Sequence, residues 1–387
     1  MSLALPINFG QPSPEQVVGR DDILRELRTA VERGSSTILT GERRIGKSWV
    51  LKALADAPPP GWVAVYTDVE QISRLEDLHD VLAERITQRL PRPRRIFERL
   101  GTSKIKEIKG IPLPSMPELG PVDRLRRLIR GVASGGTKLI VILDELPILA
   151  QRLEATAPGD AVALLQLLRA LRLEEPNVRM VLAGSIGFHH LLDGDAEIRA
   201  AINDVLPVPI GPLDPEAARS LTRRLLAGIG VDAPATAVVE AIASATDGVP
   251  FYIHHLVANL ERRRNEGITA GLVAEVRQLA LYGPDDPWQL RHYEQRLAEY
   301  FGPNTAQALA ILDAIASVDD GLTLAGVLDR VRTDARLAPT DPMSTDTARG
   351  LADRLRLDHY LTLRPDDLHL AFTLPIVRDA WRALRFR

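Results

Sequence analysis

The sequence predicts an α/β protein: a parallel β-sheet domain with helices on both faces, then a small helical domain, then a C-terminal winged-helix domain. Three observations carry this. Five short apolar runs, at 37–40, 62–68, 138–144, 178–184 and 205–210, alternate with stretches of helical periodicity. That is the pattern of buried parallel strands joined by crossover helices. From 212 to 283 the periodicity is helical with no strand among it, and the chain ends in helices, a hairpin pattern and a last helix.

Each element has a local reason. "SSTIL" reads as a strand leading into a glycine turn and "KSWVLKALADA" as the helix leading out. Residues 62–68 and 138–144 are near-continuous apolar runs, as expected of strands covered on both faces. Between them lies a Pro-rich, charged excursion at about 91–120, with a small hairpin expected around "KIKEIKGIPL". After the fifth strand, Asp214 is a good N-cap, Pro215 a good first helical residue, and Gly228 and Gly230 suitable stops. Further helices are expected at 233–245, 251–265 and 268–281, closed by "GPDDPW". "HYLTLRPDDLHLAFT" is two alternating runs about a Pro-Asp-Asp turn, and 374–384 reads as the final helix. The expected domains are therefore 1–211, with the basic insertion, then 212–283 and 284–387.

With 387 residues, 45% apolar and 26% charged, the chain has enough material for two or three domains with proper cores. There is no cysteine, so disulfides and thiolate metal sites are excluded. No apolar run reaches the length of a membrane span and the first residues lack a secretory pattern, so a cytoplasmic protein without membrane attachment is expected. The net charge of −3 conceals an asymmetry. Residues 85–130 hold 13 Lys or Arg against four acids, a balance of +9, and the remainder carries −12.

Only six of the 48 basic residues are lysine, yet one stands in "TGERRIGKSW". Gly41-Glu42-Arg43-Arg44-Ile45-Gly46-Lys47-Ser48 fits G-x-x-x-x-G-K-[ST], the phosphate-binding P-loop, and Trp49 follows it. The glycines let backbone N–H groups face inward around phosphates at a helix N-terminus. Lys47 supplies a compact charge for them, and Ser48 a hydroxyl for Mg²⁺, which takes oxygen ligands. Arg43 and Arg44 either contact phosphate or point into solvent.

"KLIVILDELP" ends a buried strand in Asp144-Glu145, where an open α/β sheet places its chemistry. The expectation is that Asp144 holds Mg²⁺ and Glu145 orients and polarises the attacking water. Ser185, in "VLAGS", stands where it could contact the γ-phosphate or the water, or serve as a helix N-cap. The doublets His189-His190 and His254-His255 cannot clamp an ion by themselves, because neighbouring helical side chains diverge; zinc is not expected.

"VVGRDDILREL", "GERRIGKS", "LIVILDE", "LAGS", "PLDPEAA" and "DGVPFYI", in that order, resemble the prokaryotic STAND ATPases. The likeness is strongest to their archaeal-type branch, P-loop NTPases of the ASCE class related to AAA+, origin-recognition-like initiators. The resemblance spans roughly residues 17–265. It implies ATP and ADP as ligands, and Val18, Gly19 and Arg20 bordering the adenine; the other reading is an ordinary helix entry capped by Asp21. It also implies that Gly248 and Pro250 form a nucleotide-sensing hinge in a helical lid, with a simple helix break as the alternative. Arg199 stands where AAA+ proteins carry an arginine finger, or is a solvated helix arginine.

Two functional readings follow. One is an ATP-driven switch that reports its state to a protein partner or to a second copy, in signalling, defence or toxin control. The other is an ATPase acting on DNA through the basic insertion or the winged helix. Against the second, residues 321–387 hold 11 arginines and nine aspartates, and the helix "STDTARGLADRLRLD" is not basic. A nucleoside or small-molecule kinase is disfavoured by the Asp-Glu pair.

Overall fold

The computed structural model describes residues 4–10, 16–90, 107–108, 111–112, 119–184, 187, 200–333 and 343–386. The chain forms two compact units, Pro12–Ile210 and Met1–Gln11 with Gly211–Arg387.

In the first unit the described elements are α1 (Asp21–Glu32), β1 (Thr37–Thr40), α2 (Lys47–Asp56), β2 (Trp62–Asp68) and α3 (Leu75–Arg89). The hairpin β3 (Glu107–Ile108) and β4 (Ile111–Pro112) comes next, as expected, pairing antiparallel. Then follow α4 (Pro121–Ser134), β5 (Lys138–Asp144), α5 (Leu146–Thr156), α6 (Asp160–Glu174), β6 (Val178–Ala183) and β7 (Leu206–Pro209). The sheet order is β2-β5-β6-β1-β7, and every neighbouring pair is parallel. All five C-terminal strand ends therefore lie along one edge.

The expected five-stranded sheet is present, with the last two strands shorter than the apolar runs: β6 stops at Ala183 and β7 spans Leu206–Pro209. Leu139 to Leu143 of β5 are fully buried, which accounts for their unbroken apolar run. Helix α4 shows the complementary rule. Its Leu125, Leu128, Ile129 and Val132 recur at the i, i+3, i+4, i+7 spacing and are buried, while Pro121 opens the helix. At α1 the expectation fails locally: Asp21 is the first helical residue, the N-cap is Arg20, and no side chain caps it. Asp21 and Asp22 instead place negative charge in the first turn, favourable to the helix dipole.

The second unit begins with α7 (Pro215–Gly228), α8 (Thr236–Ala245), α9 (Pro250–Arg262) and α10 (Ala270–Tyr282). Asp214 caps α7 as expected, accepting from the N–H groups of Glu216 and Ala217. Trp288 is fully buried and stacks on Tyr252 of α9 at a centroid distance of 5.3 Å. Helices α11 (His292–Phe301), α12 (Thr305–Ala316), α13 (Leu324–Thr333) and α14 (Thr345–Leu357) follow, then the hairpin of β8 (Leu361–Leu363) and β9 (Leu370–Phe372), and α15 (Pro375–Arg385). Leu322 adds a single antiparallel bridge to Leu370 of β9. The apolar α12 is the centre of this part, packed by α11, α13, α14 and α15. Among the described residues no helix is long and apolar enough to cross a membrane.

Candidate active site

The loop between β1 and α2 is shaped by two glycines for different reasons. A side chain at Gly41 would meet the Ile210 carbonyl oxygen at 2.2 Å, so only glycine fits where β1 ends beside the chain leaving β7. Gly46 has φ 102°, a left-handed conformation that other residues adopt at a cost, and it forms the N-cap of α2. Arg44 is also left-handed, at φ 68°. The two glycines and Arg44 turn the chain from β1 into α2, and Ile45 between them is fully buried.

Lys47 begins α2 and is buried, although charged. Its Nζ donates to the carbonyl oxygens of Gly41 at 2.7 Å and Glu42 at 2.8 Å, which compensates the loss of water around the ammonium. Arg20, also buried, donates to the Ile45 carbonyl at 2.7 Å. Its guanidinium thus braces the P-loop backbone directly. Val18 is half-buried, Gly19 is exposed with φ 67°, and Arg43, Arg44 and Trp49 are half-buried.

On β5, Asp144 is 1% exposed. The Tyr66 hydroxyl donates to its Oδ2 at 2.9 Å. Its Oδ1 is buried without a hydrogen bond of good geometry among the described residues. Burial raises the pKa of this carboxyl; the Ser48 hydroxyl, which reaches it, acts in the opposite sense, and the charge of Glu145 raises it further. Burial, and then the neighbouring Asp144, push the Tyr66 phenol well above its ordinary range, so it stands as a hydrogen-bond donor. Glu145 is half-buried in a left-handed conformation, φ 63°, between the end of β5 and α5. A non-glycine residue there is uncommon, and such outliers gather at sites of chemistry.

Tyr66 and Asp68 were not anticipated from sequence. The register pairs Asp68 of β2 with Asp144 of β5, and residues two apart on a strand share a face, so Tyr66 and Asp68 border the Asp144 carboxyl. Asp68 is exposed and adds to the upward pressure on both neighbours. The polar end of "WVAVYTD" was the available signal; it acquires meaning only once strand order is known.

The structure thus brings together Lys47, Ser48, Asp144 and Glu145, residues about a hundred positions apart. The donor set of Ser48 Oγ and Asp144 is all oxygen, and a buried carboxylate oxygen lacking a partner fits a hard divalent cation such as Mg²⁺. Ser185 and Arg199 lie outside the described residues, as do His189 and His190. Pro250 is the first residue of α9 in the second unit. His254 is buried there; its Nδ1 accepts from the Asn8 backbone N–H at 3.3 Å, and burial, then His255, lower its pKa to about 4.

Residues 16–182 match the family model described as AAA ATPase domain. No curated protein matches the chain. Among solved structures, the Walker-type ATPase of Pyrococcus abyssi is similar at a TM-score of 0.67 and 19% identity, covering 97% of this chain and 99% of that one. The Aeropyrum pernix ORC2 protein, in its ADPNP-ADP complexes, is similar at 0.53 and 14% identity, with 95% of each chain covered. Its ADP form matches at 0.52 and 14% identity over 98% of both chains. The P-loop, the Asp-Glu strand end and the 2-5-6-1-7 strand order, all in one unit, agree with the match of residues 16–182 to the AAA ATPase domain model, and the solved structures share the fold.

Proposed function

We propose that the protein is a Mg²⁺-dependent ATP-binding and ATP-hydrolysing switch that couples its nucleotide state to a protein partner or to a second copy. The observation that carries this is the meeting of Ser48 and Asp144, two oxygen ligands delivered by separate motifs to one edge of a parallel sheet. In this reading the P-loop backbone and Lys47 hold the β- and γ-phosphates. Ser48 and Asp144 hold Mg²⁺, which when bound neutralises developing phosphate charge. Glu145, set apart by its left-handed backbone, orients the attacking water and accepts its proton. One fold relative was captured with ADPNP and ADP, in keeping with a nucleotide ligand.

The division of the second unit into a helical lid, 212–283, and a winged-helix domain, 284–387, belongs to this proposal. Its support is the order α12, the Leu322 bridge, α13, α14, β8 and β9, that of helices followed by a two-stranded wing. Gly248 and Pro250 at the start of α9 are the hinge of that lid, Ser185 senses the γ-phosphate, and Arg199 serves a neighbouring subunit. A cytoplasmic location completes the reading.

The alternative, an ATPase acting on DNA, rests on the +9 balance of residues 85–130. The wing gives it little. Arg349, Arg356, Arg364, Arg378, Arg382 and Arg385 all form ion pairs with acids of their own unit, between 2.8 and 3.1 Å at the nearest. Of the insertion's flanks, Arg89 pairs with Asp56 and Arg130 with Glu174 and Glu175.

The test is ATP binding and turnover across protein concentration, with and without duplex and single-stranded DNA. Lys47→Ala is expected to lose ATP binding, and Glu145→Gln to bind ATP but hydrolyse it at least tenfold more slowly. Unchanged affinity in the first, or unchanged turnover in the second, removes the assignment. A salt-sensitive stimulation by DNA that disappears on charge reversal of Arg92, Arg94 and Arg95 favours the alternative.

A further inference from the structure

A carboxylate at a strand end is a poor positional device by itself. Its terminal torsion is a soft, roughly two-fold rotation, so the backbone does not decide which oxygen faces a ligand or at what tilt. At Asp144 two hydroxyls bear on it: that of Ser48, which reaches the carboxyl, and that of Tyr66, whose bond is fixed to one oxygen. Oδ2 accepts from the Tyr66 hydroxyl at 2.9 Å, whereas Oδ1 is buried and lacks a well-formed partner among the described residues. The two oxygens, chemically equal in the isolated side chain, are made unequal by a residue of the adjacent strand.

Tyr66 is itself well held. Parallel pairing sets Tyr66 opposite Ile142 and Asp68 opposite Asp144, so the phenol lies one side-chain repeat behind the carboxyl it contacts. The Lys52 ammonium, on the same helix as Lys47 and Ser48, stands 5.4 Å from the Tyr66 ring centroid. Helix α2 therefore touches Asp144 at two removes: through Ser48 directly, and through Lys52 and the Tyr66 ring.

We infer that Tyr66 is a positioning residue for the divalent cation: by engaging Oδ2 it presents Oδ1 of Asp144, together with Ser48, to the cation and its water shell. The inference rests on the proposed Mg²⁺·ATP site. Tyr66 touches neither nucleotide nor metal in this account and acts only through Asp144. Phenylalanine would keep the packing of the ring and lose the function.

The experiment is calorimetric titration of the full chain with ATP, once in EDTA and once across Mg²⁺ concentrations, for wild type, Tyr66→Phe and the second donor-free variant Tyr66→Leu. The expected result is ATP affinity in EDTA within twofold of wild type for Tyr66→Phe, with the Mg²⁺ concentration at half-maximal enhancement raised roughly tenfold, the scale of one hydrogen bond to a charged group. Tyr66→Leu should shift that concentration in the same direction. In an Asp144→Asn background, Tyr66→Phe should add nothing. A Mg²⁺ midpoint equal to wild type in Tyr66→Phe overturns the role, as does an equal loss in EDTA and in Mg²⁺, which marks mere structural damage. If wild type itself binds ATP no better with Mg²⁺ than in EDTA, the metal site fails and the Tyr66 role fails with it.

Discussion

The side chain of Asp247 caps the last helix of the chain: its Oδ2 accepts the backbone N–H of Ile376, the second residue of α15. Asp247 itself sits between α8 and α9 with φ 49°, immediately before Gly248, whose carbonyl accepts from Leu213 at 2.9 Å. The turn that enters α9 is thus tied at one end to the entry of the second unit and at the other to its final helix. Arg277 of α10 reinforces the link through an ion pair to Asp379 at 2.5 Å.

Asp247 is half-buried, and its partial burial raises its pKa, with the Ile376 N–H and the charges of Arg277 and Arg378 opposing and Asp379 adding to the shift. The bond is therefore valuable and the charge is not. Asp247→Asn keeps an acceptor oxygen and tolerates φ > 0, so a melting temperature close to wild type is expected. Asp247→Ala leaves a helix donor unmet and strains the backbone, for a loss of about 1–3 kcal/mol. Equal destabilisation by the two variants would show that charge, not capping, matters there.

His254 makes stability depend on pH. Its folded pKa is lowered to about 4 from 6.5, so between those values the unfolded chain binds the proton and the native chain does not. Stability is fully present above about 6.5 and is lost as pH falls toward 4, at up to about 1.4 kcal/mol per pH unit from this group. His254→Asn, which retains an acceptor for the Asn8 N–H, is expected to flatten that part of the unfolding profile measured by denaturant titration.

Gly41 and Gly46 should fail differently. Gly41→Ala forces a methyl against the Ile210 carbonyl at 2.2 Å, a clash with backbone that costs about 1–3 kcal/mol or more. Gly46→Ala meets nothing within 4 Å among the described residues and suffers only its φ of 102°, about 1–2 kcal/mol. Both variants should weaken ATP binding, but only the first should lower the thermal stability of the sheet unit by more than a few degrees.

Arg20 offers a test of loop bracing against base recognition. If the guanidinium acts on the Ile45 carbonyl, Arg20→Ala weakens ATP and inorganic tripolyphosphate by the same factor, roughly fivefold or more. A loss confined to ATP in competition binding would return Arg20 to the adenine.

Much of the first unit was legible because its signals are local and redundant. The P-loop is eight consecutive residues whose glycines have separate steric reasons, and each strand is an apolar run bounded by turn residues. In the second unit, the cap Asp214 and the first helical residue Pro215 are likewise readable from their neighbours alone. Asp21 misled because a cap and a first-turn acid look alike in sequence; the difference is one residue of backbone geometry.

What the sequence by itself determined is therefore the set of elements and the chemistry of single motifs: a lysine and a serine after a glycine loop, and a carboxylate pair after a strand. Tertiary structure decided which of these meet. Strand order 2-5-6-1-7 places β2 beside β5, and only that pairing turns Tyr66 and Asp68 into neighbours of Asp144. The same holds for Asp247 and Ile376, 129 positions apart. Periodicity reports which face of an element is buried but carries nothing about its neighbour, because burial is non-directional and any apolar partner satisfies it. Directional contacts between distant residues, by contrast, exist only after the chain has packed.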